Sequence, residues 1–211
     1  MNVLTHDFDQ AFNDVAEAVD RRSSSRKIAV YRVVKVSRQS GEGLARCRDI
    51  SDGGMRLETS MPLSLKESLW IEISPGTEVG ARVVWTSGDE YGVAFDTKID
   101  CEQELRKAAR LKWSERARSP RLQSAIPAWL KTDVASTTTT ISNISQQGML
   151  VSHDGGFKPG VRVKVALQNG FEKEAVVRWT SDDCAGLYLL DSFSVMELGD
   201  LTALSRANDD A

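Results

Sequence analysis

The sequence predicts a mainly β protein made of two tandem copies of one small antiparallel domain, and three observations predict it. The segment DISDGGMRL at 49–57 returns as NISQQGMLV at 143–151, and ARVVWTSGDEYG at 81–92 returns as AVVRWTSDDCAG at 175–186, both at an offset of 94. A constant offset over two separate blocks marks a duplicated unit, and such a repeat decides the fold before any single element does. Within each copy the apolar period is mostly two, the period of a half-buried strand. Short β-rich runs bounded by Gly, Ser and Pro recur roughly every 8–12 residues, as in a small barrel or sandwich. A chain of 211 residues accommodates two such domains.

The elements follow in order. Residues 7–19 place Phe8, Phe12, Val15 and Val19 on one helical stripe, so a short N-terminal helix is expected. Ile28, Val30, Arg32, Val34 and Val36 alternate with their neighbours as a strand, and 69–73 and 82–85 read as two more. Residues 100–114 carry Cys101, Leu105, Ala108 and Lys112 at helical spacing and predict a helix closing the first copy. The Ser/Thr run 136–140 precedes an apolar stretch in a β-prone chain, which favours a Thr-rich strand over a loop. Further strands are expected at 161–165, 175–179 and 187–190, and Val195, Leu198 and Leu201 predict a second closing helix over 194–204. The helical stripes are expected to pack onto the barrels. The division is therefore 1–19 as an N-terminal helical segment, 20–114 and 115–206 as the two copies, and 207–211 as an acidic tail. Since the second copy has its own strands and closing helix, a fragment from about residue 100 onward is expected to fold alone.

Composition removes several functions. With 27 Lys+Arg against 30 Asp+Glu the net charge is −3, so any field for an anionic partner must be local. No apolar run approaches the roughly 20 residues of a membrane span, and MNVLTHDFDQ lacks the basic and apolar regions of a secretory signal. A cytoplasmic chain without membrane insertion is expected. Cys47, Cys101 and Cys184 are odd in number and widely spaced, which supports neither a disulfide framework nor a metal knuckle. His6 and His153 are the only histidines, leaving almost no material for a nucleophile–base pair. Neither GxxxxGK[ST] nor GxGxxG occurs, so no catalytic residue, cofactor or metal is expected and a binding module is the better reading.

Two short patterns of the first copy fit one anionic, purine-bearing ligand. Arg22-x-x-x-Arg26, with Arg21 before it, supplies planar guanidinium forks that match phosphate oxygens or the O6/N7 edge of guanine. Asp49-x-Ser51-x-x-Gly54 supplies a carboxylate for the guanine N1–H and N2–H2, a hydroxyl, and a glycine that lets backbone approach the ligand. Alone, the first is an ordinary solvated face and the second an ordinary Asx turn. Together they lie in or beside residues 21–48, which hold nine basic residues and one acidic one.

RRSSSR followed by DISDGG in a short-stranded β context resembles the PilZ domain family. The resemblance implies a six-stranded antiparallel barrel with a C-terminal helix in each copy, and cyclic di-GMP as ligand. It implies that Arg22 and Arg26 grip phosphates and guanine edges, and that Asp49, Ser51 and Gly54 form the opposing wall. It also implies an auxiliary contact from Arg21, where members that take a stacked ligand dimer often have an extra arginine. In the second copy Asn143-x-Ser145-x-x-Gly148 keeps the wall, but the arginine pattern reads Ala117-Arg118-Ser119-Pro120-Arg121, so only Arg121 of the pair is present. A weak second site at Arg121, Asn143, Ser145 and Gly148, or none, is expected.

The family reading is a receiver without catalysis. Its arginine loop orders when ligand arrives and passes a signal through a helix or domain rearrangement to a protein effector. The alternative is a tandem scaffold or adaptor that binds proteins without nucleotide. A nucleic-acid module would need aromatics among the basic residues for base stacking, and the segment offers only Tyr31, so no nucleic-acid partner is expected.

Overall fold

The computed structural model describes residues 28–112, 119–152, 156–201 and 204. The expected helix over 7–19, the arginines Arg21, Arg22 and Arg26, and the tail 207–211 lie outside the described residues. In the first copy β1 (Ile28–Arg38), β2 (Gly41–Ser51), β3 (Gly54–Glu58), β4 (Ser68–Ser74), β5 (Thr77–Ser87) and β6 (Glu90–Phe95) close into an antiparallel barrel in the order β1-β2-β3-β6-β5-β4. In the second, β7 (Leu122–Lys131), β8 (Ser136–Ser145), β9 (Gly148–Ser152), β10 (Arg162–Leu167), β11 (Glu172–Thr180) and β12 (Cys184–Leu189) repeat that order six strands on. The Thr-rich run is a strand, as its composition predicts, and Thr139 turns inward to donate to the Ser152 carbonyl at 2.8 Å.

Alternation fills each barrel. Val34 and Val36 of β1, Leu69 and Ile71 of β4, and Val79, Ala81 and Val83 of β5 point into one core, while Ala128, Leu130, Ile141, Val163 and Val165 fill the other. Closure needs bends, and the copies bend at matching places. Register shifts fall between Cys47 and Asp49 and between Ile141 and Asn143, and again between Val83 and Trp85 and between Val177 and Trp179. These irregularities re-aim the side chains beside them, and motif residues stand at each.

The helix after the first barrel, α1 (Cys101–Lys112), is capped by Asp100, whose Oδ1 accepts from the Gln103 N–H at 2.9 Å, with Glu102 and Glu104 in its first turn. Cys101 and Ala108 bury its inner stripe. The second closing helix differs from expectation. Ser194 and Glu197 form a reciprocal capping box at 3.1 and 2.6 Å, residues 195–198 make a turn, and Leu201 and Leu204 have helical backbone, but no regular helix runs through the described residues. The break falls at Gly199, which is pressed against Thr59 and Ser60 of the first barrel. The predicted stripe is nevertheless right, since Val195, Leu198, Leu201 and Leu204 are all buried on the second barrel.

The two barrels share a core. Leu44 belongs to β2 yet is fully buried in the apolar cluster of the second barrel, with Val33 packed beside it. The Leu44 N–H donates to the Leu198 carbonyl at 2.7 Å, Ser60 Oγ to the Met196 carbonyl at 2.6 Å, and the Gln123 N–H to Glu42 Oε2 at 2.9 Å. A Cβ at Gly43 would overlap the Gly199 carbonyl oxygen, so only glycine permits this approach. The second copy is therefore less self-sufficient than its sequence suggests.

Candidate functional site

Asp49 and Ser51 end β2, and Gly54 opens β3 after a two-residue turn. All three line one open groove of about 570 Å3, together with Arg56, Trp85 and the β6 backbone at Gly92–Ala94. The bulge after Cys47 brings Asp49 to this face. Its Oδ2 accepts from Arg56 Nε at 2.8 Å, across the ladder from β3. Ser51 Oγ donates to the Gly54 carbonyl at 3.2 Å, which fixes the turn and leaves the hydroxyl oxygen as an acceptor. Gly54 must be glycine, because a Cβ there would collide with the Val93 carbonyl oxygen.

The turn is tied to the segment that leaves the barrel. The Phe95 N–H donates to the Gly53 carbonyl at 2.9 Å, the Ile99 N–H to the Asp52 carbonyl at 3.0 Å, and the Cys101 N–H to Asp52 Oδ1 at 3.2 Å, so the motif turn and the start of α1 are bonded directly. The second copy repeats the device. Leu189 and Phe193 N–H groups donate to the Gln147 and Gln146 carbonyls at 3.0 and 2.8 Å.

Trp85 is a site residue that motif reasoning passed over. Its indole lies so close over Gly92 that any Cβ there would enter the ring, yet 41% of the residue is exposed in the same groove as Asp49. An exposed aromatic face beside a carboxylate, a hydroxyl and a bare backbone can stack a base. The signal was present in the repeat, since Trp179 and Gly186 keep the same spacing and the same contact in the second copy.

The basic segment is less positive than its sequence sum. Of its five described basic residues four are engaged: Lys35 with Glu42 at 3.3 Å, Arg38 with the Pro62 carbonyl at 2.8 Å, and Arg46 and Arg48 with Glu58 at 3.3 and 3.2 Å. Arg48 also lies 4.9 Å over the exposed Tyr31 ring. Burial lowers the proton affinity of the Arg32 guanidinium. The Cys47 thiol is pushed up to about 12, by burial first and then by the Asp49 carboxylate, so it is not a nucleophile at neutral pH.

In the second copy Asn143, Ser145 and Gly148 take the equivalent places. Ser145 Oγ donates to the Gly148 carbonyl at 3.1 Å, and Ser145 and Gly148 line a smaller groove of about 310 Å3 with Arg121, Arg178 and Trp179. Arg121 is brought to this wall, but its Nη1 donates to Asn143 Oδ1 at 2.8 Å. Arg116, Ala117 and Arg118 lie outside the described residues. A larger hollow, about 720 Å3 on the second barrel, contains no motif residue, and two of its lysines, Lys131 and Lys164, both pair with Glu172 at 3.0 and 3.3 Å. Among the described residues no cluster of three metal-ligating side chains occurs, and no helix is long and apolar enough to cross a membrane.

Two closed barrels, each with a D/NxSxxG turn bonded to the segment that leaves it, make the chain a tandem pair of one small β-barrel domain. The family model described as PilZ domain matches residues 20–111 and again 115–204, and the chain belongs to the PilZ domain family as a tandem pair. The fold is similar to several solved structures of low sequence identity. Borreliella burgdorferi PlzA, solved in complex with c-di-GMP, is 12% identical over 92% of this chain and 96% of its own, with a TM-score of 0.37. The Bacillus subtilis inhibitor of motility MotI/DgrA is 15% identical over 84% and 94%, with a TM-score of 0.34. MrkH, titled a c-di-GMP-dependent transcription regulatory factor, is 11% identical over 90% and 83%, with a TM-score of 0.29. No curated protein matches the sequence.

Proposed function

We propose that the chain is a cyclic di-GMP receiver that takes its ligand in the groove of the first barrel. The observation that carries this reading is the meeting, in one open groove, of Asp49, Ser51, the bare backbone of Gly54 and the exposed face of Trp85, in the copy whose arginine pattern Arg22-x-x-x-Arg26 is complete. Asp49 and Ser51 offer acceptors to the Watson–Crick edge of guanine, Trp85 offers a stacking face, and Arg22 and Arg26 supply forks for phosphate and the Hoogsteen edge. Arg21 adds a contact that suits a stacked pair of ligands.

The pattern Arg22-x-x-x-Arg26 ends two residues before β1 begins at Ile28, and the β1–β2 hairpin carries Leu44 into the second barrel. Ligand orders the loop, at a cost in conformational entropy that charge-assisted bonds offset, and the change passes to the neighbouring helix and barrel for a protein effector to read. The second copy serves mainly as structure and partner surface. Favouring this are its missing arginine at Ala117 and the bond that already occupies Arg121.

Calorimetric titration of the full chain with cyclic di-GMP tests the reading. Saturable binding is expected near two ligands per chain, falling toward one in Arg21→Leu. Arg22→Ala and Arg26→Ala should each weaken it about tenfold to a hundredfold, since a bidentate ionic contact is worth roughly 1.5–3 kcal/mol. No binding by the unmutated chain, or undiminished binding by both alanine variants, overturns it.

A further inference from the structure

The two copies solve the same local problem differently. Asp49 and Asn143 are equivalent wall residues, each on the second strand of its barrel, and each faces a cross-strand neighbour on the third, Arg56 in one case and Leu150 in the other. Where that neighbour is arginine, its Nε holds the wall carboxylate at 2.8 Å and its Nη1 lies 3.7 Å from Glu90, with the side chain 40% exposed in the groove. Where it is leucine, the wall acceptor is taken at 2.8 Å by Arg121, the residue that corresponds to Arg26. Without a guanidinium on the third strand, the arginine that should grip ligand folds onto the wall instead.

We propose that Arg56 is a positioning and specificity-determining residue of the first groove: it fixes the Asp49 carboxylate as an acceptor for guanine and keeps that acceptor from being taken as Asn143 Oδ1 is in the second copy. The inference rests on the receiver reading above and deepens it. An ionised carboxylate left without a fixed partner pairs with any guanidinium that reaches it, because a charge-assisted bond is about twice as strong as a neutral one. A fixed partner on a strand removes that competition and leaves one carboxylate oxygen for the guanine N1–H and N2–H2. Adenine offers a ring acceptor there, not a donor, so the oriented carboxylate also discriminates between the two bases. Leu150 is by the same logic part of the reason Arg121 takes the wall acceptor of the second groove.

The test titrates the full chain and its Arg56→Leu and Arg56→Lys variants with cyclic di-GMP and with cyclic di-AMP, and compares melting temperatures. Leucine is what the second copy tolerates at this place, so Arg56→Leu is expected to fold. It should bind cyclic di-GMP at least tenfold more weakly, with a narrowed preference over cyclic di-AMP, and Arg56→Lys should regain part of both. Unchanged affinity and preference in Arg56→Leu, while the unmutated chain binds, overturns the role of Arg56 alone. A loss equal for both ligands and not regained by lysine does the same. Absence of binding by the unmutated chain overturns the receiver reading, and this inference with it.

Discussion

Leu44→Ala tests whether the barrels are one folding unit. Leu44 stands on a strand of the first barrel, but it is completely buried among Ile126, Leu187, Leu198 and their neighbours in the core cluster of the second. Truncation removes its apolar contacts while the backbone bond from its N–H to the Leu198 carbonyl can persist. Leu→Ala at fully buried sites costs about 2–5 kcal/mol, the sum of lost transfer free energy and of a cavity that the surroundings only partly fill. Taking roughly 3 kcal/mol, and roughly 2–4 °C per kcal/mol for a chain of this size, the melting temperature should fall by about 6–12 °C. Scanning calorimetry and denaturant titration monitored by circular dichroism are the assays. A single transition is expected in both proteins, with a lowered denaturant midpoint and an unchanged slope. A fall of less than about 2 °C, or two separate transitions with the higher one untouched, would show that Leu44 does not complete a shared core. A fragment beginning near residue 100 lacks both Leu44 and Val33, so it should be markedly less stable than the second barrel in the whole chain, against the expectation that it folds well alone.

Other expectations rest on single contacts. Trp85→Ala should weaken cyclic di-GMP binding roughly fivefold to a hundredfold, since stacking a base on an aromatic ring is worth about 1–3 kcal/mol, whereas Trp179→Ala should leave the titration unchanged. Gly43→Val should destabilise the chain as Leu44→Ala does, because its side chain must displace the Gly199 backbone; a melting temperature equal to that of the unmutated protein would contradict the close approach. Cys47 makes the chain sensitive to alkali. Its folded pKa is raised from 9.0 to about 12, so its contribution is intact below pH 9 and is lost as pH rises from 9 toward 12, where the unfolded thiol ionises and the buried one does not. Between about pH 8 and 10 the unmutated chain should therefore lose about 1.4 kcal/mol more stability than Cys47→Ala, measured by denaturant titration at each pH. Parallel pH profiles would remove that assignment.

Much of this architecture was legible in the sequence because repetition and period two are local signals. The offset of 94 located both copies, and D/NxSxxG located both turns, each closed by a bond from the serine hydroxyl to the glycine carbonyl. What stayed hidden is non-local. Leu44 reads as one apolar residue in an alternating strand; only its burial beside the equally buried Ala45 shows that β2 is covered on both faces. The surplus of positive charge over 21–48 overstated the field, because Glu58, Glu67 and Asp200, which engage Arg46, Arg48 and Arg38, come from outside that window. Arg56 lay inside the recognised block, but its pairing with Asp49 is a cross-strand contact that spacing along the chain does not express.

The two copies are attached to their surroundings in different ways. In the first barrel the motif turn is bonded to the start of α1, and the strand after the arginine loop carries Val33 onto the second core. In the second, the motif turn is bonded through Gln146 and Gln147 to Leu189 and Phe193, and the segment beyond them supplies Met196, Leu198, Gly199 and Asp200 to the first barrel. That segment is held down by the buried Lys173, whose ammonium lies over the stacked Phe171 and Phe193 rings and is bonded to Asp191 and Glu197 at 3.0 and 3.2 Å. The first turn adjoins α1 instead, which is bonded to its own barrel where Ser74 donates to Glu104 at 3.0 Å and Lys107 to Thr77 at 2.7 Å. Under the proposed receiver reading, Ala117 and Leu150 would belong with a second copy held as a fixed body beside a responsive first groove.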